Sequence, residues 1–375
     1  MAPIRVGLIG LSGAPPDKYE GTSWTPNAHL PYLKASPHYE IVALLNTSVQ
    51  SAKAAISRYE LPSETKPYEN PEDLATDDSV DLVVCSVRVD RHFQTVRPSI
   101  IAGKAVFVEW PLERNAEIVR EMAALAAKHN SPAIVGLQGS FSPQICKMKE
   151  IIDSGKIGKV LSSSWQAVFG NGGATERKNV RYFVDREIGG NVMTIGIGHS
   201  LEFLTYVLGE FEWYDSLLAI RHHTVDIIDP AARDKVISEG VSNTVPDHVM
   251  IHGIVQRSNA VVNFQWHGGK PFPDTPAADW RILGDKGELR LTSSSWSLNV
   301  GRPETKIALL DSTTGVVEPI SADTDEWNSL PIPAQNIARL YEAYRLKKWY
   351  PDFEWALKRH EMIEDMFKRF DASKH

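Results

Sequence analysis

The chain has 375 residues, 42% of them hydrophobic and 23% charged, and a formal net charge of −7. That length suits two domains, and the acidic balance argues against an electrostatic grip on nucleic acid or on an anionic membrane. No apolar run is long enough to cross a bilayer. Cys85 and Cys146 are too few for a disulfide framework, which points to a reducing cytoplasmic compartment, or a nuclear one for a regulator.

The first half alternates between two rhythms. "IRVGLIGL" (4–11), "YEIVALLN" (39–46), "DLVVCSVRV" (81–89) and "AVFVEWP" (105–111) are short apolar runs of the kind that form buried parallel strands, and "PAIVGLQG" closes the series. Between them, "NAHLPYLKAS", "SVQSAKAAISRYEL", "FQTVRPSIIAG" and "NAEIVREMAALAAKHN" carry helical spacing. This alternation predicts a doubly wound parallel sheet of the Rossmann type over residues 1–138.

From 139 to 375 the pattern changes. A helix, "SPQICKMKEIIDSGKIG", leads into the strand "KVLSSSWQAVFG" and then a loop rich in glycine and charge. After the helix "GHSLEFLTYVLG" come "WYDSLLAIRHH", "DHVMIHGIVQ", "AVVNFQWHG" and "DWRILGDKGELRLT", strand candidates with "GDKGE" as a turn. Two helical stretches, "AQNIARLYEAYRLKK" and "DFEWALKRHEMIEDMFKRF", end the chain. The expectation is an α+β domain with a large mixed, mainly antiparallel sheet. Such a sheet needs both faces covered, and pairing into a homodimer is one solution.

In a doubly wound sheet the first strand–turn–helix cradles a pyrophosphate. Here the turn reads Gly7, Gly10, Ser12, Gly13, with Ser12 in the place of the usual second glycine and a long loop after it. The turn alone admits a structural reading; its place after the first strand favours dinucleotide binding. The second strand ends at Asn46 and Thr47, without the acid that would hold the ribose 2′-hydroxyl of NAD, so NADP and NAD are both admitted. Asn46 as a plain helix cap is an equal reading. Ser86, Arg88, Glu109, Trp110, Pro111 and Gln138, at the ends of later strands, complete the expected cofactor contacts, with a solvated loop as the alternative for Arg88.

"FVEW" (107–110), "LQG..SP" (137–143), "GNGG" (170–173), "GH" (198–199), "TVPDH" (244–248) and "GGKP" (268–271) together carry a likeness. The chain resembles the Gfo/Idh/MocA oxidoreductases over nearly its whole length, and within them a regulatory branch, the galactose/lactose metabolism regulatory proteins of yeasts and their fungal relatives. The resemblance implies, for the enzymes, a lysine inside the Glu-x-Pro element and a later Asp-x-x-x-His pair that perform acid–base chemistry. Here Trp110 replaces the lysine, Thr194 and Ile195 stand where the aspartate is expected, and His199 remains.

Tryptophan has no titratable group, so Trp110 reads as a flat wall against cofactor or ligand. His199 suits acid–base work near neutrality, or starts a helix with a purely structural part. Lys178, Arg181 and Tyr182, in the loop after Asn171, are candidates to replace the lysine. Asn171 and Asp247 are candidate substrate contacts, Asp247 with a strand cap as the rival reading. His222 and His223 are adjacent and expected on opposite faces of a strand, and no Cys/His spacing suggests a metal.

Two functions follow. The first is an NAD(P)-dependent oxidoreductase, NADP preferred, acting on a sugar-like or cyclic alcohol or ketone. The second is a non-catalytic NAD(P)-binding transcriptional regulator that works through a protein partner.

Overall fold

The computed structural model describes residues 2–13, 23–170 and 172–373, and these form two compact units. The first unit takes residues up to 137 together with 187–190 and 327–361. Its strands are β1 (Ile4–Ile9), β2 (Tyr39–Leu45), β3 (Lys66–Tyr68), β4 (Leu82–Cys85), β5 (Ala105–Glu109) and β6 (Ala133–Gly136). They pair in parallel in the order β3-β2-β1-β4-β5-β6, the doubly wound order whose direction reverses between β1 and β4. Every residue of β4, β5 and β6 is buried, which is why these segments read as unbroken apolar runs.

The crossovers are a π-helical turn (Thr25–His29) that runs into α1 (Leu30–Ala35), then α2 (Val49–Arg58), α3 (Pro71–Ala75), α4 (His92–Ile101) and α5 (Ala116–Lys128). Two elements here escaped the sequence reading. β3 is a three-residue edge strand, Lys-Pro-Tyr, with no apolar pattern to mark it, and α3 is barely more than one turn. The third strand stops at Cys85 instead of running to Val89, because Ser86–Arg88 turn away to form the rim of the sheet.

The second unit takes residues 138–186, 191–326 and 362 onward. It contains α6 (Pro143–Asp153), β7 (Val160–Phe169), β8 (Thr175–Arg177), α7 (Gly198–Leu208), β9 (Phe211–Ala219), β10 (Thr224–Asp229), β11 (Lys235–Ser242), β12 (His248–Val255), β13 (Val261–Gly268), β14 (Ala278–Gly284), β15 (Gly287–Ser293), β16 (Lys306–Asp311) and β17 (Val317–Ile320). Eight of these strands form one sheet, β17-β16-β15-β14-β7-β13-β12-β9, antiparallel at every pairing except β7 with β13. One face carries Trp165, Phe264 and Trp280, all fully buried, with the Trp165 ring 5.3 Å from that of Phe203 on α7 and 6.0 Å from that of Trp280.

A small second sheet, β11-β10-β8, was not foreseen: β11 is largely exposed, β8 has three residues, and β10 buries Val225 and Ile227 within a run of six residues. His222 and His223 belong to neither sheet: β9 ends at Ala219 and β10 begins at Thr224, so the expected strand-face argument does not apply to them.

The helices at the end of the chain are α8 (Ile332–Arg345) and α9 (Phe353–Ala372). The sequence placed both in the second domain, but α8 packs with the first unit. Its Tyr341 is fully buried, stacked on Tyr32 (5.3 Å) and Phe107 (5.0 Å), with Tyr39 edge-on at 5.2 Å. An amphipathic helix announces that it has a buried face, not which surface receives it.

Two of the glycine marks have one cause. The backbones of Gly172–Gly173 and Gly268–Gly269 lie against each other: a Cβ on Gly268 would collide with the Gly172 carbonyl oxygen, and one on Gly173 would sit 3.1 Å from the Gly269 Cα. Replacing Gly268 with alanine is expected to destabilise the fold by about 2 kcal/mol or more, read as a lower urea midpoint at unchanged slope.

Candidate functional site

In the first unit the residues of interest gather where β1, β4 and β5 end. Gly10 follows β1 at φ +93°, a conformation glycine adopts without strain, and a Cβ there would collide with the Ser86 carbonyl oxygen beyond β4. The turn is therefore bare backbone pressed against the end of β4, an approach that a side chain at this position would block. It lies next to the start of the first helix, and this combination fits the pyrophosphate of a dinucleotide. Gly13 instead packs on α2, where a Cβ would meet the Ala55 amide nitrogen at 2.7 Å. Ser12 lies between the two.

Asn46 holds this turn rather than capping the next helix. Its Nδ2 donates to the Leu11 carbonyl (2.8 Å), while Ser48 caps α2 by accepting from the Ser51 amide (3.1 Å). Thr47, between them, is exposed. Arg88 forms a bidentate pair with Asp90 (2.6 and 2.7 Å), and that hydrogen bonding holds the Asp90 carboxyl below its ordinary range. Its guanidinium is engaged within its own loop.

Glu109 ends β5 with its carboxylate over Gly136, where a Cβ would lie 2.5 Å from Oε2. Its Oε1 is 2.8 Å from His29 Nε2, and His29 Nδ1 is 2.8 Å from the Tyr341 hydroxyl, a buried chain of three side chains that sequence reading missed. Trp110 follows, joined to Pro111 by a cis peptide, with its ring centroid 4.4 Å from that of His360. His360 accepts from the Leu112 amide (3.1 Å), and burial pushes its pKa down to about 3, so it is a neutral support. Trp110 is thus held as a fixed plate at the strand end.

Gln138, two residues past β6, is buried with an Oε1 that has no partner among the described residues. Buried acceptors are normally satisfied, so this one is available to a ligand.

In the second unit, the Asn191–Thr194 capping box starts a π-helical turn (Val192–Ile197) that runs into α7. His199 therefore lies inside a continuous helix instead of opening one. Thr194 accepts from the Asn191 amide, a capping duty at the place where the family's enzymes are expected to carry their acid. His199 is 5% exposed, its Nδ1 lacks a partner among the described residues, and burial pushes its pKa down to about 3. The imidazole is neutral near pH 7, able to share a hydrogen bond but a poor match for proton transfer there.

The other candidates in this unit are largely engaged. Lys178 pairs with Asp229 at 2.6 Å, and Tyr182 sets its ring edge-on to Phe183 at 5.1 Å. Asn171 lies outside the described residues. For Asp247, burial opposes ionisation, yet hydrogen bonds from the His248 ring, from the His222 and Arg221 amides and from the His222 ring hold its carboxyl below the ordinary range. It binds the turn before β10 to the start of β12, which is a structural task for the "PDH" mark. Among the described residues no cluster could hold a metal ion, and no helix is long and apolar enough to cross a membrane.

Glu176 was not singled out in the sequence. It is 4% exposed, and burial pushes its carboxyl up to about 7, against a hydrogen bond from the Arg177 amide. It lines a cavity of about 10 Å³, the room of one water, with Gly172, Phe183, Asn243 and Asp247. A raised carboxyl pKa means that the folded state holds a proton the unfolded chain has lost. Stability from this group is therefore full below pH 4.5 and falls as pH rises to about 7. Glu176→Gln is expected to remove that fall and to be more stable than wild type at pH 8 by an amount on the order of 3 kcal/mol, measured as urea midpoints against pH.

Comparison with known proteins adds relatives on both sides of the enzyme–regulator divide. The model of the oxidoreductase family with NAD-binding Rossmann fold (GFO_IDH_MocA) matches residues 4–137, and the model of the Gal80p C-terminal domain matches 143–293. Dehydrogenase aclE of Aspergillus oryzae is 31% identical over 321 residues, 85% of each chain. The galactose/lactose metabolism regulatory protein GAL80 of Saccharomyces cerevisiae is 30% identical over 307 residues, 77% of this chain and 67% of that one. In fold, a super-repressor mutant of Gal80p from the same yeast superposes with a TM-score of 0.88 at 24% identity, covering 100% of this chain and 97% of that one. Levoglucosan dehydrogenase in complex with NADH and L-sorbose superposes at 0.76 with 16% identity, covering 99% and 98%.

Proposed function

The chain belongs to the Gfo/Idh/MocA oxidoreductase family, and from that premise we propose that it is a nicotinamide-dinucleotide-dependent oxidoreductase acting on a sugar-like or cyclic alcohol or ketone. The observation that carries this reading is the side-chain-free cradle at Gly10 beside Ser86, with Glu109 and Trp110 fixed at the neighbouring strand end. Gly10, Ser12, Gly13, Asn46 and Ser86 would hold the dinucleotide, NADP or NAD, and Trp110 would face its nicotinamide end. When bound, the nicotinamide supplies or accepts a hydride. His199 is the group proposed to meet the substrate hydroxyl, as a neutral hydrogen-bond partner.

A second reading has its own support. Trp110 and Ile195 stand where the family's enzymes are expected to carry lysine and aspartate, and His199 is held neutral by burial. A dinucleotide-binding regulator that acts through a protein partner needs none of that chemistry, and the likeness to the GAL80 proteins accords with it.

One experiment separates them. Purified protein is titrated with NADH and NADPH, then screened against sugars and cyclic polyols for change in the reduced-nicotinamide absorbance. Turnover that His199→Ala abolishes supports the enzyme; tight binding without turnover supports the regulator; no binding removes both. Trp110→Phe should bind nearly as wild type, whereas Trp110→Ala loses a large buried contact, a truncation worth roughly 3 kcal/mol, and should bind at least tenfold more weakly.

We also propose a homodimer built on the open face of the large sheet. Trp213 and Leu217 on β9, Met250 on β12 and Val261 on β13 are each about half exposed, and cross-strand pairing sets Met250 against Leu217. Two exposed apolar groups, Trp213 with Val261 and Leu217 with Met250, flank the polar row Asp215–His252–Asn263, and exposed apolar side chains gathered on one sheet face mark an interaction surface. Light scattering is expected to give twice 41.7 kDa, and Leu217→Asp to shift the protein toward 41.7 kDa.

A further inference from the structure

The first helix begins with a wide π-helical turn, Thr25–His29, and wide turns of this kind recur at functional sites. Thr25 and His29 stand four residues apart and both are buried, at 2% and 0% exposure. The Thr25 hydroxyl lies 3.1 Å from the Gly10 carbonyl oxygen and 3.2 Å from that of Ser86, so a single donor is shared between the ends of β1 and β4. The His29 ring lies between the Glu109 carboxylate and the Tyr341 hydroxyl, 2.8 Å from each. Its edge meets Phe107 of β5 at 5.2 Å. One turn of one helix therefore reaches the ends of three parallel strands.

We propose that Thr25 and His29 are positioning residues that pre-form the dinucleotide site in two separable parts. This rests on the dinucleotide-binding reading above. Thr25 fixes the Gly10 turn against Ser86, and so sets the backbone that meets the pyrophosphate. His29 fixes the Glu109 carboxylate, and through it the following Trp110–Pro111 segment at the nicotinamide end. Tyr341 holds His29 from the far side. A phenol donating to Nδ1 leaves the Nε2–H to donate to Glu109, so each polar atom along the chain has a partner of the complementary kind.

The division makes the ligand itself the probe. ADP-ribose carries the pyrophosphate but no nicotinamide, and NADH carries both. Calorimetry on the full-length chain compares the two ligands across variants, with thermal midpoints recorded for each.

Thr25→Val keeps the side-chain shape and removes the hydroxyl. A buried hydrogen bond lost between neutral groups corresponds to about a tenfold weakening, expected for both ligands alike, and Thr25→Ser should restore both. His29→Phe keeps a ring against Phe107 but cannot bond Glu109. It should weaken NADH by about tenfold or more and leave ADP-ribose within about twofold. Tyr341→Phe removes only the outer hydroxyl and carries the same test should the histidine variant fail to fold; a loss of about threefold for NADH alone is expected.

Equal loss of both ligands in His29→Phe and in Tyr341→Phe, or no loss in either, would overturn the assignment of His29. Failure of serine to rescue at position 25 would overturn that of Thr25. Wild-type protein that binds neither ligand would instead remove the dinucleotide reading and this inference with it, an outcome distinct from the other two.

Discussion

Strands that stop at one rim of a parallel sheet leave their last carbonyls without a neighbouring strand, and here those of Gly10 and Ser86 turn to the same hydroxyl, that of Thr25. A carbonyl left unsatisfied in a buried rim costs about 1–3 kcal/mol, so a shared donor that draws the two ends together has a structural value of its own. It also explains why the turn is bare. With β1 and β4 drawn this close, a side chain at Gly10 would strike Ser86. The glycine is required by the approach of the two strand ends, and the open backbone on the other side is its by-product. The neighbouring strand end is organised by the same helix turn through His29 and Glu109, so the rim depends on residues that no local sequence pattern singled out.

The acid–base inventory of the chain is coherent when its burial is considered. His199 and His360 are both depressed to about 3 by burial, whereas Glu176 is lifted to about 7 by the same cause. All three are thereby neutral, or partly so, near physiological pH. Trp110 leans on His360, a neutral ring, where the enzymes of the family are expected to use a cation. Within the second unit, the charged side chains of Lys178 and Asp247 are tied to partners, Asp229 and His248.

Much of the architecture was legible because it follows from periodicity. Buried parallel strands read as apolar runs, and β1, β2, β4, β5 and β6 were each located within a few residues. The antiparallel core strands β12 to β15 alternate strictly, so their type and the turn at Asp285–Lys286 could be read directly. Elements with little burial left a fainter trace: β11 has no buried residue and β10 buries Val225 and Ile227 in a short run, with backbone pairing and the Lys178–Asp229 contact holding them. At the site, residues named by local motif, Gly10, Glu109 and Trp110, were visible, while those that act by spatial convergence were not. Thr25 and His29 meet partners 15 to 80 positions away, and Tyr341 lies 312 residues from His29. Asn46 had the right location and a different task, because its neighbour Ser48 was the better cap.

The return of α8 to the first unit has a bearing on how the chain is made. Synthesis delivers the six parallel strands first, yet the surface formed by Tyr32, Tyr39 and Phe107 is sealed only by Tyr341. Synthesis must pass Tyr341 before that aromatic cluster closes. During this interval the nascent first unit carries an uncovered sticky surface, the kind that attracts chaperones or other nascent chains. The first unit, whose strands are made first, thus waits for α8, and so does the rim at the ends of β1, β4 and β5, whose His29 leans on Tyr341.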